Sequence, residues 1–212
     1  MRRPLLHTLV ISMTLLGLVA ATRLPRPTRS PASPKATFAK ATAAKATLAL
    51  VGGTLIDGHG GAPIPNSVIL VEGERIVAIG QTGTLSVPAG TPVVSTEGEY
   101  ILPGLWDMHV HLMLVGHGNY AHWDSVSPPL WERVIIPAAA RQSLMAGVTS
   151  VRDLGGPLDE LLAVKRRIAA GELPGATIYT TGPFLQHAPY PGTERFRRGI
   201  TGVADARAKV KQ

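Results

Sequence analysis

The stretch Ile101–Leu112, ILPGLWDMHVHL, breaks an extended run at Pro103 and Gly104. It then resumes as a strand in which Asp107, His109 and His111 alternate with Met108, Val110 and Leu112. Side chains alternate across a strand, so the three polar groups share one face. At a rise of about 3.3 Å per residue, the His109 and His111 Cα atoms stand about 6.6 Å apart, and both rings can lean onto one ion. This is a metal-site geometry.

Towards the C-terminus the pattern alternates between helix and strand. Residues 130–146 carry apolar side chains at 131, 134, 135, 138 and 145 and end at Gly147. Pro137 either kinks this helix or belongs to its first turn, leaving 130–136 as a separate turn. Val148–Val151 is a strand. A second helix has Pro157 in its first turn, Asp159 and Glu160 at its positive end, Gly171 as its stop, and Leu158, Leu161, Leu162, Ile168 and Ala169 as its buried stripe. Ala176–Thr181 is a third strand, a Pro/Gly-rich loop follows over Gly182–Gly199, and another helix begins at Val203. The alternation predicts a parallel α/β architecture, which a barrel and an open doubly wound sheet both satisfy. Residues 112–118 lack a glycine-rich phosphate turn and a P-loop lysine, and ligands at the end of the first strand favour the barrel.

Towards the N-terminus the chain is a series of short apolar runs separated by Gly and Pro: Thr47–Val51, Thr54–Ile56, Ser67–Val71, Arg75–Ile79 and Pro92–Ser95. The runs at 68–71 and 75–79, joined by Glu72-Gly73-Glu74, predict a hairpin. A small β domain is therefore expected over 48–103. Upstream, Arg2 and Arg3 precede an apolar run from Leu5 to Ala21 that ends in Val19-Ala20-Ala21, the pattern of a cleaved signal peptide over 1–21. The run is near the lower limit of about 17 residues for a spanning helix, so an uncleaved N-terminal membrane anchor is the alternative. Residues 22–47, with prolines at 25, 27, 31 and 34 and a Lys-Ala-Thr repeat, form a basic linker. The expected location is periplasmic or secreted.

The net charge of +7 is concentrated in that leader and linker. The first fifty residues hold eight Lys/Arg and no Asp/Glu, leaving thirteen basic against fourteen acidic residues. With aromatics at 5% and a near-neutral remainder, nucleic-acid binding is excluded. The chain has no cysteine, which removes disulfides and thiolate metal sites.

The sequence Leu102-Pro103-Gly104-Leu105-Trp106-Asp107, leading into His109-Val110-His111 after a small β domain, resembles the amidohydrolase superfamily of metal-dependent hydrolases. Ala146–Gly156, AGVTSVRDLGG, is similar to the second barrel unit of its imidazolonepropionase-like and dipeptidase-like members. The resemblance covers about Leu48 to Gln212. It implies an α/β fold: the N-terminal part of a TIM-type (β/α)8 barrel preceded by a small β-sandwich-like domain. Residues 104–212 would then be the first three β/α units. A full barrel takes about 250 residues, so the barrel is expected to be incomplete in this chain.

The resemblance also implies chemistry. His109 and His111 match the first-strand metal ligands, and the implied cofactor is one or two divalent ions, zinc first. The implied reaction is hydrolysis of a carbon–nitrogen bond in a small-molecule amide, cyclic amide or dipeptide by metal-activated water. The remaining ligands and the catalytic aspartate have no counterpart and are expected beyond residue 212, so the chain alone is expected to be inactive. A truncated or degenerate, non-catalytic exported protein is the alternative.

Lesser candidates surround the motif. Asp107 is a structural hydrogen-bond acceptor or a partner behind the ligands. His117, His122 and His187 lie on loops where substrate contacts concentrate in barrels. Arg152 is expected to pair with Asp153, or else to bind a substrate carboxylate. Trp106 and Trp131 are expected in the core.

Overall fold

The computed structural model describes residues 46–211 except His117 and Tyr190. The expected signal peptide, nearly all of the expected linker, and His117 lie outside the described residues.

Leu48–Val51 (β1), Thr54–Leu55 (β2), Ser67–Glu72 (β3), Arg75–Gln81 (β4), Val93–Ser95 (β5) and Tyr100–Ile101 (β6) form the first part of the described chain. The β3–β4 hairpin forms as its apolar runs predict, with a register shift between Leu70 and Val71. β1 lies between β3, antiparallel, and β5, parallel, giving the order β4-β3-β1-β5. Ala49, Val68 and Leu70 are its buried centre. β2 pairs in parallel with β6, a two-residue strand too short to show in the sequence pattern.

Leu105–Val110 (β7), Val148–Asp153 (β8) and Thr177–Thr180 (β9) form a three-stranded parallel sheet in chain order. Gly104 immediately precedes β7 because nothing larger fits: a Cβ there would come within 2.0 Å of the Thr149 hydroxyl on the neighbouring strand. Tyr120–Val126 (α1), Ile136–Met145 (α2) and Leu158–Ala169 (α3) follow the strands, with α2 packed on β8 and α3 on β9. Trp131, Ile136, Ala140, Val151, Leu161, Val164 and Ile178 are fully buried between the helices and the sheet. Each such aliphatic side chain contributes about 1.5–3 kcal/mol on leaving water.

The ambiguity at Pro137 resolves in favour of the first turn. Pro128–Leu130 is a 3₁₀ turn, Trp131–Ile135 a π-helical turn, and α2 starts at Ile136 with Pro137 at its N-terminus. A proline there has no N–H to leave unpaired. The wide turn also shifts the helical phase. Ile136 and Ala140 face the core, while Val134 and Met145, two of the positions expected to be apolar contacts, are exposed.

α3 is likewise rotated from the expected stripe. Pro157 sits one residue outside the helix, as its N-cap. Leu158 and Ala169 face outward, and Val164 takes the core position between Leu161 and Ile168. Glu160 is also buried, where it accepts a hydrogen bond from Arg195. Trp131 is in the core as expected. Trp106 is not: it is 54% exposed on the edge strand β7 and stacks on Tyr179 at 5.1 Å.

The region expected to be loop over Gly182–Gly199 contains two strands, Phe184–Gln186 (β10) and Arg197–Gly199 (β11), paired in parallel. Val203–Val210 (α4) ends the described chain. Among the described residues no helix is long and apolar enough to cross a membrane.

Candidate metal centre

His109 lies in the last turn of pleat of β7, and His111 directly follows the strand. The β7–β8 register shifts between Asp107 and Val110, and the Asp107 carboxylate accepts the His109 amide at 3.0 Å. The two imidazoles end up beside each other, edge to face, with centroids 5.2 Å apart. His109 is exposed and His111 half-buried.

His111 is held from three sides. Its Nδ1 lies 3.1 Å from the Gly155 carbonyl oxygen. A carbonyl only accepts, so Nδ1 carries the hydrogen, and in the neutral ring the Nε2 lone pair is left for a ligand. The Phe184 ring packs against the imidazole at 5.0 Å, and His109 covers a third side. Behind this, the buried Asp153 carboxylate accepts the amides of Leu112 at 2.9 Å and Gly155 at 3.1 Å. Burial pushes the Asp153 pKa above its ordinary 3.8, against the opposing pull of those two amides and of His111.

The expected pairing of Arg152 with Asp153 does not occur. Neighbouring strand residues point to opposite faces, so Asp153 is buried and Arg152 exposed. His122 lies on α1, exposed, with its ring edge-on to Trp123 at 5.0 Å. His187 is exposed just after β10. Sequence reasoning passed over Asp153, Gly155 and Phe184 as parts of this site. The available signal was Asp153-Leu154-Gly155 at a strand end, a spacing at which an aspartate turns to accept the amide two residues on.

A cavity of about 510 Å³ opens next to the loop that follows β7. It is lined by Tyr120, Ala121, Asp124 and Ser125 of α1 and by Pro191, Gly192 and Thr193. Asp124 pairs with Arg197 of β11 at 3.0 Å.

Among the described residues no third His, Cys, Asp or Glu joins His109 and His111 in a metal-sized cluster. The pair still fits a divalent ion as part of a donor set, with two imidazoles side by side and His111 Nδ1 held by a carbonyl, which leaves its Nε2 lone pair for a ligand.

No protein-family model matches the chain. A dihydroorotase from Citrifermentans bemidjiense is 32% identical over 104 residues, which are 49% of this chain and 21% of that protein. The structure of a molinate hydrolase aligns over 65% of this chain and 30% of its own, with 34% identity and a TM-score of 0.57. Over these segments the chain is similar to amidohydrolases. The fold is shared by a prolidase crystallised with N-methylphosphonate-L-proline, at 21% identity and a TM-score of 0.64 over 77% of this chain and 43% of that one. The chain thus spans from about a fifth to under a half of the length of these proteins. It is a mixed α/β chain with structural neighbours in the amidohydrolase TIM-barrel family, and the relatives it resembles are hydrolases.

Proposed function

We propose that the chain carries the first part of an amidohydrolase metal centre, in which His109 and His111 hold one or two divalent ions, zinc foremost. The observation that carries this is the meeting of the two imidazoles at 5.2 Å with His111 Nδ1 committed to the Gly155 carbonyl. A bound ion would bring the pKa of its water towards about 7 and polarise a substrate carbonyl. The chain's own residues supply orientation. Gly155 fixes the His111 tautomer, Phe184 and His109 flank its ring, and the cleft beside α1 has the size of a small-molecule site. The similarity to a dihydroorotase and a molinate hydrolase supports carbon–nitrogen bond hydrolysis of a small-molecule amide, cyclic amide or dipeptide as the reaction of this reading.

In this reading residues 48–103 are the small β domain and 104–212 the first three β/α units of a barrel. Residues 1–21 direct export. The test is zinc titration of the full chain by isothermal calorimetry, beside His109→Ala and His111→Ala. Saturable binding lost in either variant is expected. An unaltered isotherm in both variants overturns the assignment.

A further inference from the structure

Asp153 occupies a position with two consequences for one histidine. Its Oδ2 accepts the amide of Leu112, the residue after His111, and its Oδ1 accepts the amide of Gly155, the residue whose carbonyl receives His111 Nδ1. The carboxylate is fully buried at the end of β8, and both bonds are shielded from water. Arg152 points the other way, so no side chain of its own strand neutralises it. A buried carboxylate is costly to maintain where an apolar residue would fill the space, and it persists where its acceptors do something a neutral side chain does not.

We propose that Asp153 is a positioning residue for His111, fixing the backbone after the ring through Leu112 and the ring's tautomer through Gly155. This rests on the reading of His111 as a metal ligand for its purpose, but not for its geometry. Both Asp153 oxygens accept, and the two amides come from different strand ends, so the carboxylate ties the end of β7 to the turn after β8. The turn is fixed further by Leu154 donating to the Val110 carbonyl at 3.2 Å and Gly156 to that of Gly182 at 3.2 Å. An asparagine has the same shape but one acceptor, so it must present its NH₂ to one of the two amides. The side chain has no room to turn away. A Cβ on Gly156 would already lie 3.2 Å from Oδ1, and Leu161 fills the space beside it.

The experiment is nitrogen-detected NMR of the imidazoles in the full chain without metal, at about pH 8.5, above the ordinary histidine pKa of about 6.5. In the wild type His111 is expected as the Nδ1–H tautomer. In Asp153→Asn, with its fold verified by circular dichroism, His111 is expected to populate both tautomers, and zinc affinity to fall about 10–100-fold. A wild-type Nε2–H tautomer overturns the proposal, as does an Asp153→Asn chain with the wild-type tautomer and zinc affinity. Should that variant fail to fold, hydrogen exchange in the wild type decides: Leu112 and Gly155 amides protected together support the clamp, and rapid exchange of either overturns it. A chain with the fixed tautomer but no zinc binding would sink the metal reading and leave the positioning role standing.

Discussion

Arg197 of β11 meets Asp124 of α1 at 3.0 Å, with the two side chains only 13% and 10% exposed. The same guanidinium lies over the Phe196 ring at 4.5 Å and the Phe184 ring at 5.8 Å, so the pair ties α1 to the segment beside His111. Removing one member of a buried pair leaves the other charge in a poor environment. Asp124→Ala is therefore expected to cost about 3 kcal/mol, the low end for such pairs. Urea denaturation measures it, and an unchanged midpoint would refute the claim.

Gly155 carries a steric prediction. A Cβ at this position would lie 2.3 Å from the Phe184 ring. Either the ring moves, and with it the flank of His111, or the turn does. Gly155→Ala should cost about 1–3 kcal/mol as an overpacked site and weaken zinc binding in the same protein. Calorimetry against the wild type checks both. A stable variant with full affinity contradicts the packing described here.

Two aspartates set opposite slopes of stability with pH. The folded pKa of Asp153 is raised above 3.8 by burial, so its contribution is fully present below 3.8 and is lost as pH rises through the folded value. For Asp205 it is lowered, first by the hydrogen bond from Lys209 and then by the Thr201 amide, so its contribution is present above 3.8 and lost as pH falls through the folded value. Stability of the metal-free wild type minus that of Asp153→Asn should therefore decline as pH rises from below 3.8 through the folded value. A difference that stays level or climbs rules this out. The corresponding difference for Asp205→Asn should run the other way.

The 212-residue chain should bind zinc without turning over substrate. Characterised catalytic zinc sites use three protein ligands, and the described residues bring two together. A panel of dipeptides, N-acyl amino acids and cyclic amides incubated with the purified chain and zinc is the assay. Sustained hydrolysis abolished by a chelator would show that the donor set is larger.

Local patterns carried much of this structure. The hairpin at 67–81, the strand at 148–153 and the paired histidines were legible because alternation and turn residues express themselves over a few consecutive positions. What escaped was non-local. β10 and β11 pair across an intervening loop through Arg197 and Arg198, which do not mark a strand, inside a segment whose Pro/Gly content argues for loop. The apolar stripe of α2 was misplaced because a π-helical turn inserts a residue into the period, and no spacing rule announces one. Asp153 looked like a surface partner of Arg152 because burial is decided by the neighbouring strand. Arg152 and Asp153 are adjacent in sequence yet separated by the sheet.

The parallel pairing of β10 with β11 has a bearing on how this surface can diversify. It closes the ends of the intervening segment, whose far side is anchored by buried Thr193 and Phe196 and by the Arg195–Glu160 pair. Residues 187–189, 191 and 192 lie between these anchors, and doubling the length of a loop costs only about 0.6 kcal/mol in closure entropy. Pro191 and Gly192 of that span form one wall of the cleft beside α1. Insertions and exchanges can accumulate there and reshape the cleft while the sheet holding the histidines keeps its register.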